Sequence, residues 1–79
     1  MGAPAVGGRV DAWERLLAGA LERIRQRGEL RAEAEPARLA TGLLASLEGG
    51  MALSQARKDM ASVRVAVEAA LAQVRAQAN

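Results

Sequence analysis

Residues 36–57 read PARLATGLLASLEGGMALSQAR. Pro36 suits the first position of a helix, where its missing N–H removes only a donor that has no partner anyway. From there Leu39, Leu43, Leu44, Leu47 and Met51 recur at three- and four-residue steps and cover a broad apolar arc. The far side carries a second series, Gly42, Ala45, Gly49, Ala52 and Ala56, spaced 3-4-3-4. Glycine inside a helix costs about 1 kcal/mol against alanine. A helix holding Gly42, Gly49 and Gly50 is therefore weak alone, and close approach of a second helix would account for them. The pattern predicts a helix over about 36–57 that is covered on two sides.

Helices are predicted on both flanks. Before it, Val10, Trp13, Leu16, Leu17, Ala20, Leu21 and Ile24 mark one face of a helix over about 10–27, with Asp11, Arg15, Glu22, Arg25 and Gln26 on the solvated side. Asp11 and Glu14 have the spacing of a capping box. Gly28 is placed to end this helix, and residues 28–35 form a connector. Residues 1–9, rich in Gly, Ala and Pro, read as a flexible tail ahead of a single helical domain over 10–79. After the central helix, Asp59 can cap a third over about 60–77. Met60, Val63, Val67, Ala70 and Val74 form its main seam, and Val65, Ala69, Ala72 and Ala76 a weaker one. The short break at Arg57-Lys58-Asp59 makes helices two and three an antiparallel hairpin. The fold class is all-α, three helices per chain.

Composition limits both stability and chemistry. Of 40 hydrophobic residues in a chain of 79, 19 are alanine. Apart from the initiator Met1, the large apolar side chains are ten Leu, six Val, one Ile, Met51, Met60 and Trp13. That is a thin core for a lone small domain without disulfide or metal. The two-faced second and third helices point to the remedy, a second copy related by a twofold axis and completing a four-helix bundle.

With no Cys and no His, thiol nucleophiles, His-based triads and Cys/His zinc sites are excluded. Ser46, Ser54, Ser62, Thr41 and nine carboxylates remain, at no spacing that suggests acid–base work, so no catalytic residue, metal ligand or cofactor is expected. Glu29, Glu33 and Glu35 read as a solvated acidic connector. Net charge is +2, and the arginines at 23, 25 and 27 point around the helix beside glutamates, so no direct nucleic-acid contact is expected. No run approaches the ~18 apolar residues of a membrane span. The chain reads as soluble and cytoplasmic. Trp13 is core or cover for a core, with the alternative that Trp13, Leu17, Leu43 and Leu47 line a residual pocket for a small apolar effector.

Gly28-Glu29-Leu30-Arg31, Glu35-Pro36-Ala37-Arg38-Leu39-Ala40, Leu43-Leu44-Ala45-Ser46-Leu47-Glu48-Gly49-Gly50, and Asp59 leading into Val63, Val67 and Leu71 together resemble the C-terminal part of TetR/AcrR-type transcriptional regulators. The resemblance covers roughly residues 10–75, with Glu35 where the family more often has Asp. It implies a homodimer through the last two helices, using Leu43, Leu44, Leu47, Gly50 and Met51 with Val63, Val67, Leu71 and Val74. Which helix faces cross the dimer stays open, Gly42, Ala45 and Gly49 being the competing set. The helix-turn-helix domain of such regulators has no counterpart here. The expectation is a shortened form: a dimerisation and regulatory segment without its own DNA-binding domain.

Overall fold

The computed structural model describes residues 3–79, with side chains from Arg9 onward. Three helices follow one another: α1 Ala3–Gln26, α2 Pro36–Arg57 and α3 Ala61–Ala76. The all-α expectation is met, and the boundaries of α2 and α3 fall within a residue of those read from the sequence.

Their ends form where the chain chemistry allows. At the end of α1, Gly28 takes φ +82°. Its N–H donates to the Arg25 carbonyl (2.9 Å) and that of Glu29 to the Ile24 carbonyl (3.2 Å). This pair of bonds is a Schellman motif, and its left-handed residue is the reason for glycine there. Pro36 opens α2, whose first turn closes through the Leu39 N–H on the Glu35 carbonyl (2.9 Å). The Asp59 carboxylate accepts the Ala61 N–H at 2.9 Å, one step ahead of the cap position, which Met60 fills.

The start of α1 differs from expectation. Helix extends back to Ala3, so residues 3–9 are helical and not an irregular tail, and Asp11 lies within the helix, away from any cap. Pro4 sits in the first turn, where its missing N–H and fixed φ are harmless. Gly7 and Gly8 each weaken a helix by about 1 kcal/mol, a cost that does not by itself end one. Residues 1 and 2 of that expected tail lie outside the described residues.

α2 is the middle element. It packs against α1 on one side and α3 on the other, while α1 and α3 make no close backbone approach to each other. The result is a sheet of helices measuring 40 × 33 × 13 Å. With α2 between α1 and α3 and those two out of backbone contact, the three helices form a single layer, one helix thick.

One small core forms where the helices converge. Leu21, Leu30, Ala34 and Ala40 are buried, with Leu17, Ala18, Ile24, Leu39, Leu43 and Val74 packed around them. Leu30, from the connector, is only 2% exposed. It is held by pairing with the far end of the chain. Leu30 and Ala78 form an antiparallel bridge, with the Arg31 N–H on the Gln77 carbonyl (2.8 Å) and the Asn79 N–H on the Glu29 carbonyl (3.0 Å). The Asn79 side-chain amide also donates to the carbonyls of Gly28 (2.8 Å) and Leu30 (3.0 Å).

Candidate functional site

The shape leaves much of the surface uncovered. A compact chain of this length has a radius of gyration of about 11.6 Å, whereas this one measures 14.0 Å. Its accessible surface is 5767 Å², against about 4,600 Å² for a folded monomer of its mass. The excess is about 1,200 Å². Trp13, Leu16, Met51, Leu53, Met60, Val65, Val67 and Leu71 are all exposed large apolar residues.

Phasing sorts the candidate interface residues. Gly50, Ser54, Ser62, Ala66 and Ala70 are buried where α2 meets α3. A Cβ built on Gly50 would lie 2.5 Å from the Ala66 Cβ and 3.0 Å from the Ser62 carbonyl oxygen. Gly50 therefore belongs to the internal hairpin contact, and its surface is spent there, so it is not offered to a second copy. The seam read as Gly42, Ala45, Gly49, Ala52 and Ala56 is displaced in the same way. Only Gly42 faces a neighbour, with its built Cβ 3.3 Å from the Gln73 side chain, while Gly49 meets nothing within 4 Å. Ala45, Ala52 and Ala56 are exposed. The tight approach runs one residue along, through Gly50 and Ser54. A rotation of about 100° per residue separates the two series, and only packing decides between them.

The large residues of the resemblance-derived set divide by depth. Leu43 and Val74 are packed on the core of their own protomer. Leu44, Leu47 and Val63 are half-buried, and Met51, Val67 and Leu71 are exposed. On α2, Leu43, Leu47 and Met51 lie on the same side of the hairpin plane as Val63, Val67, Leu71 and Val74 on α3. Leu30 covers the Leu43 and Val74 end of this face. Toward Met51, Val67 and Leu71 it is open.

Of the serines weighed as nucleophiles, Ser54 and Ser62 serve the hairpin. The Ser54 Oγ accepts the Val63 N–H at 3.1 Å, and the Ser62 Oγ accepts from Arg57 at 3.2 Å. The Thr41 hydroxyl donates to the Glu14 carboxylate, fastening α2 to α1. Arg25 forks onto Glu22 with bonds of 2.8 and 2.7 Å. That bond holds the Glu22 carboxyl below its ordinary value and raises the Arg25 guanidinium. Arg27 stands 3.7 Å from Glu29 and Arg31 3.8 Å from Glu33.

Of the four residues expected around an apolar effector, Leu17 and Leu43 pack on the core, Leu47 is half-buried and Trp13 is exposed. A groove of about 460 Å³ lies among Glu33, Glu35, Arg38, Leu39, Gly42 and Gln73, and a smaller one of about 190 Å³ beside Leu53, Arg57 and Val65. Neither is lined by Trp13, Leu17, Leu43 or Leu47. Trp13 is 56% exposed.

A family model described as "Tetracyclin repressor-like, C-terminal domain" matches residues 4–70. The chain belongs to this family. The resemblance stated above from the residues alone is thereby met, and the match takes in α1, α2 and most of α3. No curated protein and no solved structure is significantly similar to the chain. Tetracyclin repressor-like C-terminal domains belong to regulators. Among the described residues, no helix is long and apolar enough to cross a membrane.

Proposed function

We propose that this tetracyclin repressor-like domain is the dimerisation and regulatory segment of a transcriptional regulator, pairing with a second copy through the open face of α2 and α3. The single observation that carries the reading is a protomer one helix thick with Met51, Val67 and Leu71 exposed on one side. Stable domains stack at least two layers of secondary structure on a shared core. A second sheet of helices laid on this face supplies the missing layer, and the four helices nearest the axis become the bundle expected from the sequence. The arithmetic supports it. The excess surface of about 1,200 Å² per protomer exceeds the about 800 Å² that each partner gives to an interface of ordinary size.

Arg25, Arg27 and Arg31 stand beside glutamates, which supports a segment that does not itself grip nucleic acid. The reading places the protein in the cytoplasm with its regulator, with homodimerisation as its chemistry and no reaction to catalyse.

Sedimentation equilibrium of the full chain tests it. A dimer is expected at micromolar concentration. Leu71→Glu, at a position 48% exposed in the protomer, shifts the mass toward the monomer while far-UV circular dichroism stays helical. A well-folded wild-type monomer at all concentrations refutes the proposal.

A further inference from the structure

The open face does not stop at the hairpin. On α1, Leu17 and Ile24 reach the core from the same side of the sheet as Leu43 and Val74. By helical rotation Trp13 lies on that side too, one turn before Leu17. The opposite flank of α1 holds Asp11, Arg15 and the Glu22–Arg25 pair. One apolar surface therefore crosses all three helices: Trp13 and Leu17 on α1, Leu47 and Met51 on α2, Val67 and Leu71 on α3.

Area shows that the hairpin alone falls short. An aliphatic side chain offers about 100 Å² when fully exposed. Leu47, Met51, Val67 and Leu71, at half that or less, yield about 200 Å². An interface of ordinary size takes about 800 Å² from each partner, with about 65% apolar in a homodimer, or about 500 Å². Trp13, at 56% exposure, adds about 100 Å². It is the largest single contribution open on the face.

We infer that α1 is part of the dimer interface and that Trp13 is buried against the second copy, so the contact extends beyond the last two helices. The inference rests on the dimeric reading above and deepens it. It assigns the only aromatic residue of the chain an intersubunit role in place of an effector pocket. A large aromatic at an interface commonly dominates its affinity.

Trp13 is also the sole fluorophore of its kind, so it reports on its own surroundings. The experiment follows its emission and acrylamide quenching from nanomolar to high micromolar concentration, with sedimentation run alongside. Dimerisation is expected to shift emission to the blue and to protect Trp13 from quenching severalfold. Trp13→Glu is expected to weaken the dimer by about thirtyfold, with helicity kept. Arg15→Glu, on the charged flank, should dimerise as the wild type does. A dimer in which Trp13 is quenched as freely as in the monomer, or one that Trp13→Glu leaves at wild-type affinity, overturns the role of α1 and leaves the hairpin interface standing. Absence of any dimer overturns both.

Discussion

Gly49 and Gly50 are neighbours in one helix, and substituting each by alanine should move stability in opposite directions. On propensity alone both changes gain about 1 kcal/mol. At Gly49 nothing lies within 4 Å of the added methyl, so the gain survives and the melting temperature rises by roughly 4–8 °C. At Gly50 the new Cβ would stand 2.5 Å from the Ala66 Cβ, 3.0 Å from the Ser62 carbonyl oxygen and 3.4 Å from the Val63 Cα. Carbon atoms pack at about 3.5–4.0 Å, so α2 and α3 must separate by about 1 Å. Two of the three obstructing atoms are backbone, and the third is a Cβ fixed to it, so no rotamer change relieves the clash. Overpacking of this kind costs about 1–3 kcal/mol, and separation also stretches the Ser54–Val63 bond of 3.1 Å. The balance for Gly50→Ala is destabilisation by about 1–2 kcal/mol. Thermal melts followed by circular dichroism at one fixed protein concentration give both values, since association makes melting concentration-dependent. If the two variants shift together, upward or downward, the glycine-mediated approach of α2 and α3 is wrong.

Three further outcomes are expected. Leu30→Ala empties the most buried large side chain of the core and should cost about 2–5 kcal/mol, read from urea midpoints. Lys58 holds φ 58°, ψ 38° at the end of α2, a conformation that costs a side-chain-bearing residue about 1–2 kcal/mol. Lys58→Gly relieves this but frees the unfolded chain, so a gain of about 0.5 kcal/mol should appear in the same melts. The Glu22 carboxyl is held below the ordinary 4.5 by its hydrogen bond from Arg25. Its contribution to stability is thus full above the unfolded value and fades as pH falls through the lower folded one. Carboxyl NMR titration should show a midpoint below 4.5 that returns upward in Arg25→Ala.

Local chemistry made the breaks legible. Gly28 and Pro36 bracket the connector because each has a backbone requirement that its neighbours do not share, and Asp59 ends up bonded to the next helix. The same cues misled at the other end, where Pro4, Gly7 and Gly8 resemble a loop yet sit in the first turns of α1. Faces were harder. Gly49 and Gly50 carry equal signals, and only the approach of Ala66 distinguishes them. Trp13 read first as core cover and only second as pocket wall, because one helix in isolation cannot say what stands opposite it. The role of Leu30 was out of reach, since the backbone bonds that hold it in place come from Gln77, Ala78 and Asn79, far along the chain.

That last pairing also sets an order in time. Helical hairpins join residues a few turns apart, and α2 can meet α3 as soon as the break at Lys58 has been made. Leu30 must wait until residues 77–79, nearly fifty positions further along the chain, exist to pair with it. During synthesis the core therefore remains open on its connector side until residues 77–79 have emerged. Until then the nascent chain presents Leu30 and its neighbours to whatever binds exposed apolar segments. The clasp between Asn79 and the carbonyls of Gly28 and Leu30 is thus the step that ends this vulnerable interval, and its formation is the slow event to look for in refolding.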